Sequence, residues 1–174
     1  LNMARVVLIT GGNLGDVKSR LRTAQRMIND KVGIVLRCSH RYKSRPWGFA
    51  ANEEFSNQVL EVDTDLSADE VLDAVQAIER KLGRDREEEM RLKAESGAPY
   101  SSRMIDIDVL FYDDLVLESP RLTIPHPLIE ERDFVLAPLC ELMKSKKHPV
   151  SGKTMEELRA ELLSKHESEV IGNE

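Results

Sequence analysis

The chain has 174 residues, 41% hydrophobic and 32% charged, and its 25 basic against 31 acidic residues give a net charge of −6. That length suits a single domain with a sizeable core, and the acidic balance excludes a general nucleic-acid binder, so any anionic ligand must be held by a local cluster of cations. No apolar run approaches a membrane span and no signal-peptide pattern opens the chain, so a location in the cytoplasm is expected. Cys38 and Cys140 lack any Cys-x-x-Cys spacing and read as small core hydrophobes rather than a metal or redox pair.

Residues 6–9 are a short apolar run closed by Gly11 and Gly12, a buried strand ending in a turn. Asp16 is placed to cap a helix whose stripe is Val17, Leu21, Ala24 and Ile28. From Ile34 the period falls to two: Ile34, Leu36, Cys38, His40 and Tyr42 share one face of a half-buried strand, which makes His40 a core histidine. A loop follows, then a third strand over 57–62. Ser67 and Glu70 form a capping box for a second helix carrying Val71, Val75, Ile78 and Leu82, and Gly83 ends it. Residues 84–103 have no apolar period and read as a long loop, expected to be a mobile lid anchored by arginines at both ends. Residues 104–112 return to strand, Asp113-Asp114 is a turn, and a short strand over 115–117 precedes a basic, proline-marked stretch. A helix over 134–143 and a last one capped by Thr154 and Glu157 complete the chain, with His148 and His166 at the surface.

This order predicts an α+β fold, a ferredoxin-like βαββαβ sandwich with two helices on one face of a mainly antiparallel sheet, extended by a C-terminal hairpin and helices. One catalytic domain is expected over 3–165, Leu1 and Asn2 reading as an expression remnant and 166–174 as a frayed tail.

The most informative segment is Arg103-Met-Ile-Asp106-Ile-Asp108. In a strand, Asp106 and Asp108 point the same way, their Cα atoms roughly 6.5 Å apart, and paired carboxylates suit Mg²⁺, which takes oxygen ligands and is shared with substrate phosphates. Alone, the pair reads more readily as a solvated strand face; the cationic company of Arg84, Arg86, Arg103, His126 and Arg132 favours a polyphosphate site. Gly11-Gly-Asn-Leu-Gly15-Asp is neither a dinucleotide fingerprint nor a Walker loop. Trp47, Phe49 and Phe55, with Asn57 beside them, could clamp a flat heterocycle and bond its edge.

Taken together in order, Gly11-Gly-Asn13-Leu-Gly-Asp, Tyr42-Lys-Ser-Arg-Pro-Trp-Gly48, Phe55-Ser-Asn57, Glu79 with Gly83-Arg84-Asp-Arg86, Arg103-x-x-Asp106-x-Asp108 and Leu122-Thr-Ile-Pro-His126-Pro with Arg132-x-Phe134 closely resemble the 6-hydroxymethyl-7,8-dihydropterin pyrophosphokinase family of folate biosynthesis. The resemblance spans about residues 6–142. It implies transfer of the β,γ-pyrophosphoryl group of ATP to the pterin hydroxymethyl oxygen, with release of AMP. It further implies two Mg²⁺ ions on Asp106 and Asp108, and catalytic roles for these with Arg84 and Arg103. ATP would be bound by Glu79, Arg84, Arg86, Arg103, His126 and Arg132. The pterin would stack between Phe55 and Phe134, read by Asn57 and by Ser44, Arg45, Trp47 and Gly48. The partners would be these two small molecules, without nucleic acid or membrane, and the chain a monomer. The chain departs from the family's pattern at Pro99-Tyr100-Ser101-Ser102, where Arg-Trp-Gly-Pro is common, and at Gly12, where serine is commoner. Two other readings fit the element order: a ferredoxin-like RNA-binding or regulatory module, and a catalytically dead homologue serving as an interaction domain.

Overall fold

The computed structural model describes residues 3–45, 54–96 and 104–174. Its strands and helices run β1 (Ala4–Gly12), α1 (Val17–Lys31), β2 (Ile34–Cys38), β3 (Tyr42–Ser44), β4 (Phe55–Thr64), α2 (Ala68–Lys81), α3 (Arg86–Ser96), β5 (Asp106–Tyr112), β6 (Leu117–Glu118), β7 (Thr123–Ile124), α4 (Asp133–Met143), α5 (Met155–Lys165) and β8 (Val170–Asn173). The main sheet has the order β5-β1-β4-β3-β8, β2 pairing with β4 beyond this path, while β6 and β7 form the C-terminal hairpin. Every pairing is antiparallel. Among the described residues no helix is long and apolar enough to cross a membrane.

Apolar alternation places a core on each face of this sheet. Val6, Leu8, Leu60, Val62, Ile107 and Val109 meet Leu21, Ala24 and Ile28 of α1 and Val71, Val75 and Ile78 of α2. On the other face Val7, Ile9, Val59, Leu110 and Phe111 meet Val135, Leu136 and Leu139 of α4 and Met155 and Leu158 of α5. Coverage on both faces explains why residues 6–9 are a continuous apolar run rather than an alternating one. The expected caps are in place: Asp16 accepts from Ser19 N, and Ser67 with Glu70 and Thr154 with Glu157 make complete capping boxes. Gly83, at φ 101°, follows α2 in the left-handed region where glycine is favoured.

Four expectations are corrected. The single strand over 34–42 divides into β2 and β3, and the pairing of β2 with β4 slips between Val35 and Arg37. The slip breaks the single expected face, Ile34 lying opposite Asp63 and Cys38 opposite Leu60. β2 joins the sheet through β4 alone, Ile34 is 61% exposed, Leu36, Cys38 and His40 are exposed too, and neither Cys38 nor His40 is a core residue. His148, expected at the surface, is buried, its ring set edge-on to Phe111 at 6.1 Å and its Nδ1 accepting from Val150 N and Ser151 N.

Residues 86–96 of the expected loop are a helix. Periodicity cannot reveal α3, because it buries no apolar stripe; Met90 and Leu92 are exposed. It rests instead on Asp85, whose carboxylate accepts from Glu88 N at 3.0 Å, on Glu87, Glu88 and Glu89 in its first turn, and on Arg91 paired with Glu88 and Glu95. Finally, the tail expected to fray carries β8, paired with β3 from Ser44↔Val170 to Tyr42↔Asn173.

Candidate active site

A cleft of about 400 Å³ opens where the ends of β1, β4 and β5 meet the start of α4. Its floor is apolar, from Ile9, Leu110 and Val135, and its walls carry most of the residues singled out in the sequence. Ser44 and Arg45 at the end of β3, Phe55 and Asn57 of β4, Arg84 and Arg86 around the start of α3, Asp106 and Asp108 of β5, His126, Arg132 and Phe134 all line it. Trp47, Gly48, Phe49, Arg103 and the 99–102 departure lie outside the described residues.

Sheet register brings the two halves of this set together. Gly11 of β1 lies opposite Asn57 on one side and opposite Asp106 on the other, and Ile9 lies opposite Asp108. The Asn57 amide lies directly over Gly11, where an added Cβ would meet Nδ2 at 2.1 Å.

Glu79 is the electrostatic centre behind the cleft. It is 1% exposed and is not among the residues lining the opening; its oxygens accept from Arg84 at 3.0 Å, from Arg86 at 2.8 Å and from Ile107 N at 2.8 Å. Glu79, expected among the ATP contacts, lies behind the lining residues and ties the arginines to β5. Burial raises its carboxyl despite both cations and the Ile107 N–H. Arg84, also buried, donates to Asp106 at 2.7 Å, to the Ile105 carbonyl at 3.3 Å and to Glu89 at 3.0 Å. Desolvation opposes its charge, yet Glu89, Asp106 and Glu79 hold the guanidinium more firmly protonated than usual.

Burial, then the carboxylates of Asp106 and Glu79, push the Asp108 carboxyl well above its ordinary range. Two clustered acids that resist joint ionisation are the electrostatics of a cation site. Among the described residues no three His, Cys, Asp or Glu side chains converge as a metal cage. Two carboxylates opening on a cleft nevertheless fit Mg²⁺, which fills its remaining positions with water and phosphate oxygens. His126 accepts from Leu128 N at Nδ1, at 3.1 Å, which assigns the proton of the neutral ring to Nε2. Burial lowers the pKa of this imidazole, with Asp106 opposing the shift.

Residues 7–144 match the model of the 7,8-dihydro-6-hydroxymethylpterin-pyrophosphokinase (HPPK) family. The chain belongs to the HPPK family. Among curated HPPK relatives, the 2-amino-4-hydroxy-6-hydroxymethyldihydropteridine pyrophosphokinase of Porphyromonas gingivalis is 39% identical over 141 residues, covering 80% of this chain and 91% of its own. That of Aquifex aeolicus is 35% identical over 159 residues, covering 91% of this chain and 92% of its own. The fold is also that of solved HPPK domains: the Plasmodium falciparum HPPK-DHPS structure with pteroate superposes with a TM-score of 0.76 over 99% of this chain at 14% identity. This chain spans 47% of that longer one. The HPPK match ends before α5 and β8, yet Glu169, just ahead of β8, also lines the cleft. Sequence reasoning missed it, since its only signal is the short apolar pair Val170-Ile171 in a polar tail.

Proposed function

We propose that this cleft carries out the family's reaction, transfer of pyrophosphate from ATP to the hydroxymethyl group of 6-hydroxymethyl-7,8-dihydropterin in folate biosynthesis, with ATP as co-substrate and AMP as product. The observation that carries the assignment of roles is the meeting, in one cleft, of the Asp106–Asp108 pair with Arg84, Arg86, His126 and Arg132 and with Phe55, Asn57 and Phe134. The pterin ring stacks between Phe55 and Phe134, and its edge is read by the Asn57 amide with Ser44, Arg45 and the following Trp47 and Gly48. Arg84, Arg86, Arg103, Arg132 and the Nε2–H of His126 face the triphosphate, orienting it and balancing its charge.

Asp106 and Asp108 would hold Mg²⁺, as two ions, and the metal would supply charge neutralisation and alignment of the triphosphate. The chain's own part is positioning. Glu79 holds Arg84 and Arg86 on β5, the apolar floor excludes water, and the stacked ring presents its hydroxymethyl oxygen to the β-phosphorus. The bond from oxygen to that phosphorus forms as the bond to the α-phosphate oxygen breaks, and AMP leaves. The sheet order supports a ferredoxin-like sandwich as the scaffold, working as a monomer in the cytoplasm.

The test is AMP release from ATP and the hydroxymethyl pterin in Mg²⁺, compared between wild type and Asp108→Asn. Turnover should fall at least roughly a hundredfold, with circular dichroism unchanged. Near-normal turnover of the variant would refute the metal assignment, and a wild-type chain inert toward this pair would leave a binding module as the better reading.

A further inference from the structure

The start of α4 carries two residues of the cleft, Arg132 at the cap position and Phe134 in the first turn, and the helix lacks a cap of its own. Arg132 makes no side-chain capping bond, since a guanidinium has no acceptor to offer. The missing acceptor comes from 35 residues further along the chain: Phe134 N donates to Glu169 Oε1 at 3.3 Å. Beside it, Ser168 Oγ donates to the buried Asp133 carboxylate, which Arg159 of α5 also holds at 2.8 Å.

The same short segment grips the opposite wall. Arg45 N donates to the Glu169 carbonyl at 2.9 Å, and the Arg45 guanidinium donates to the Ser168 carbonyl at 2.6 Å. Beyond it, β8 runs along β3 with a slip between Lys43 and Ser44, and Arg41 and Glu174 exchange backbone bonds at 3.0 and 2.9 Å. Residues 168–174 thus bond both the β3 end, where Ser44 and Arg45 sit, and the α4 end, where Phe134 sits.

We infer that the C-terminal segment is a clasp across the pterin side of the cleft, and that Glu169 is a positioning residue that caps α4 and thereby fixes Phe134 against the ring. This rests on the proposed pterin role of Phe134. Glu169 acts through an accepted hydrogen bond, and its neutral isostere glutamine offers an acceptor of the same reach.

The test compares wild type, Glu169→Ala and Glu169→Gln in two assays. In the ligand-free chain, exchange of the Phe134 amide should be roughly tenfold faster in Glu169→Ala and near wild type in Glu169→Gln. In steady-state kinetics, KM for the pterin should rise roughly 5- to 10-fold in Glu169→Ala, with kcat and KM for ATP within about twofold, and Glu169→Gln should restore it. Unchanged exchange at Phe134 would overturn the clasp whether or not the chain is a pyrophosphokinase. Equal loss for both substrates would overturn the selective role toward the pterin. Failure of glutamine to rescue would overturn positioning in favour of a charge contact with substrate. A wild-type chain that releases no AMP would refute the proposed function alone, the exchange assay still deciding the clasp.

Discussion

Replacing Gly11 with alanine puts a methyl group between the two halves of the cleft. The added Cβ would lie 2.1 Å from Asn57 Nδ2, 3.0 Å from its Cγ and 3.1 Å from the Ser56 carbonyl oxygen. Ordinary contact needs the amide to retreat by more than about 1 Å, whereas the carbonyl needs only a few tenths. The strand itself tolerates alanine, because Gly11 is not among the positive-φ residues. The displaced group is a flexible side chain end, so the stability cost should stay near 1 kcal/mol, the low end of overpacking, partly offset by the reduced freedom of the unfolded chain. The functional cost is larger: an amide moved off the pterin edge it is proposed to read would forfeit about 1–3 kcal/mol of hydrogen bonding, roughly 5- to 150-fold in affinity. Calorimetric titration with pterin and, separately, with ATP should show that loss for pterin and less than about threefold for ATP. In an Asn57→Ala background the Gly11→Ala effect should vanish, as there is no amide left to displace. Pterin affinity within twofold of wild type, or an undiminished effect in that background, would refute the reasoning.

Glu79→Ala removes the acceptor shared by Arg84, Arg86 and Ile107 N, and should destabilise by about 3 kcal/mol, the low end for a broken buried pair because Arg84 keeps Glu89 and Asp106. Thermal melting should fall by roughly 6–12 °C; a shift under about 2 °C would contradict the enclosed network. Glu141 gives a pH signature far from the metal pair. Burial alone would raise its carboxyl, but the bonds from the Tyr42 hydroxyl at 2.7 Å and from His40 outweigh that and hold it below the ordinary range. Its folded value is depressed, so its stabilisation is present above the unfolded value of about 4.3 and lost as pH falls through the folded one. The stability gap between wild type and Glu141→Gln in urea should therefore be full at neutral pH and shrink below about pH 4; a constant gap would exclude it. Burial and Glu141 push Tyr42 up to about 12, so its contribution is whole below the unfolded value near 10 and fades as pH rises toward 12.

What was legible in the sequence is what local chemistry alone decides. Asp16, Ser67 and Thr154 are caps because their acceptors reach N–H groups three residues away, and Asp106 and Asp108 share a face because strands alternate. The cleft residues could be grouped through the family resemblance, yet only sheet register shows Asn57 and Asp106 on either side of Gly11. Where the reading failed, the deciding interaction was not local. Cys38 and His40 are exposed because the strand expected there divides into β2 and β3, with β2 joined to the sheet through β4 alone, and His148 is buried against Phe111, 37 residues earlier. α3 is held by charge rather than by an apolar stripe. Glu79 entered the set through the family resemblance alone, and only the structure shows it buried as the support of Arg84 and Arg86. Glu169 is invisible without β8 pairing to β3.

The row Asn57, Gly11, Asp106 runs straight across three adjacent strands. Strands in a sheet are spaced by about 4.8 Å, so the proposed reader of the pterin edge and the proposed holder of the phosphate-side cation are two such steps, roughly 10 Å, apart. That interval belongs to the hydrogen-bonded backbone, not to any loop. Loop substitutions can alter how tightly each half of the substrate pair is gripped. The reach between them is a lattice constant of the sheet, and an acceptor whose hydroxyl sits one bond further from its ring would have to be met by shifting a strand.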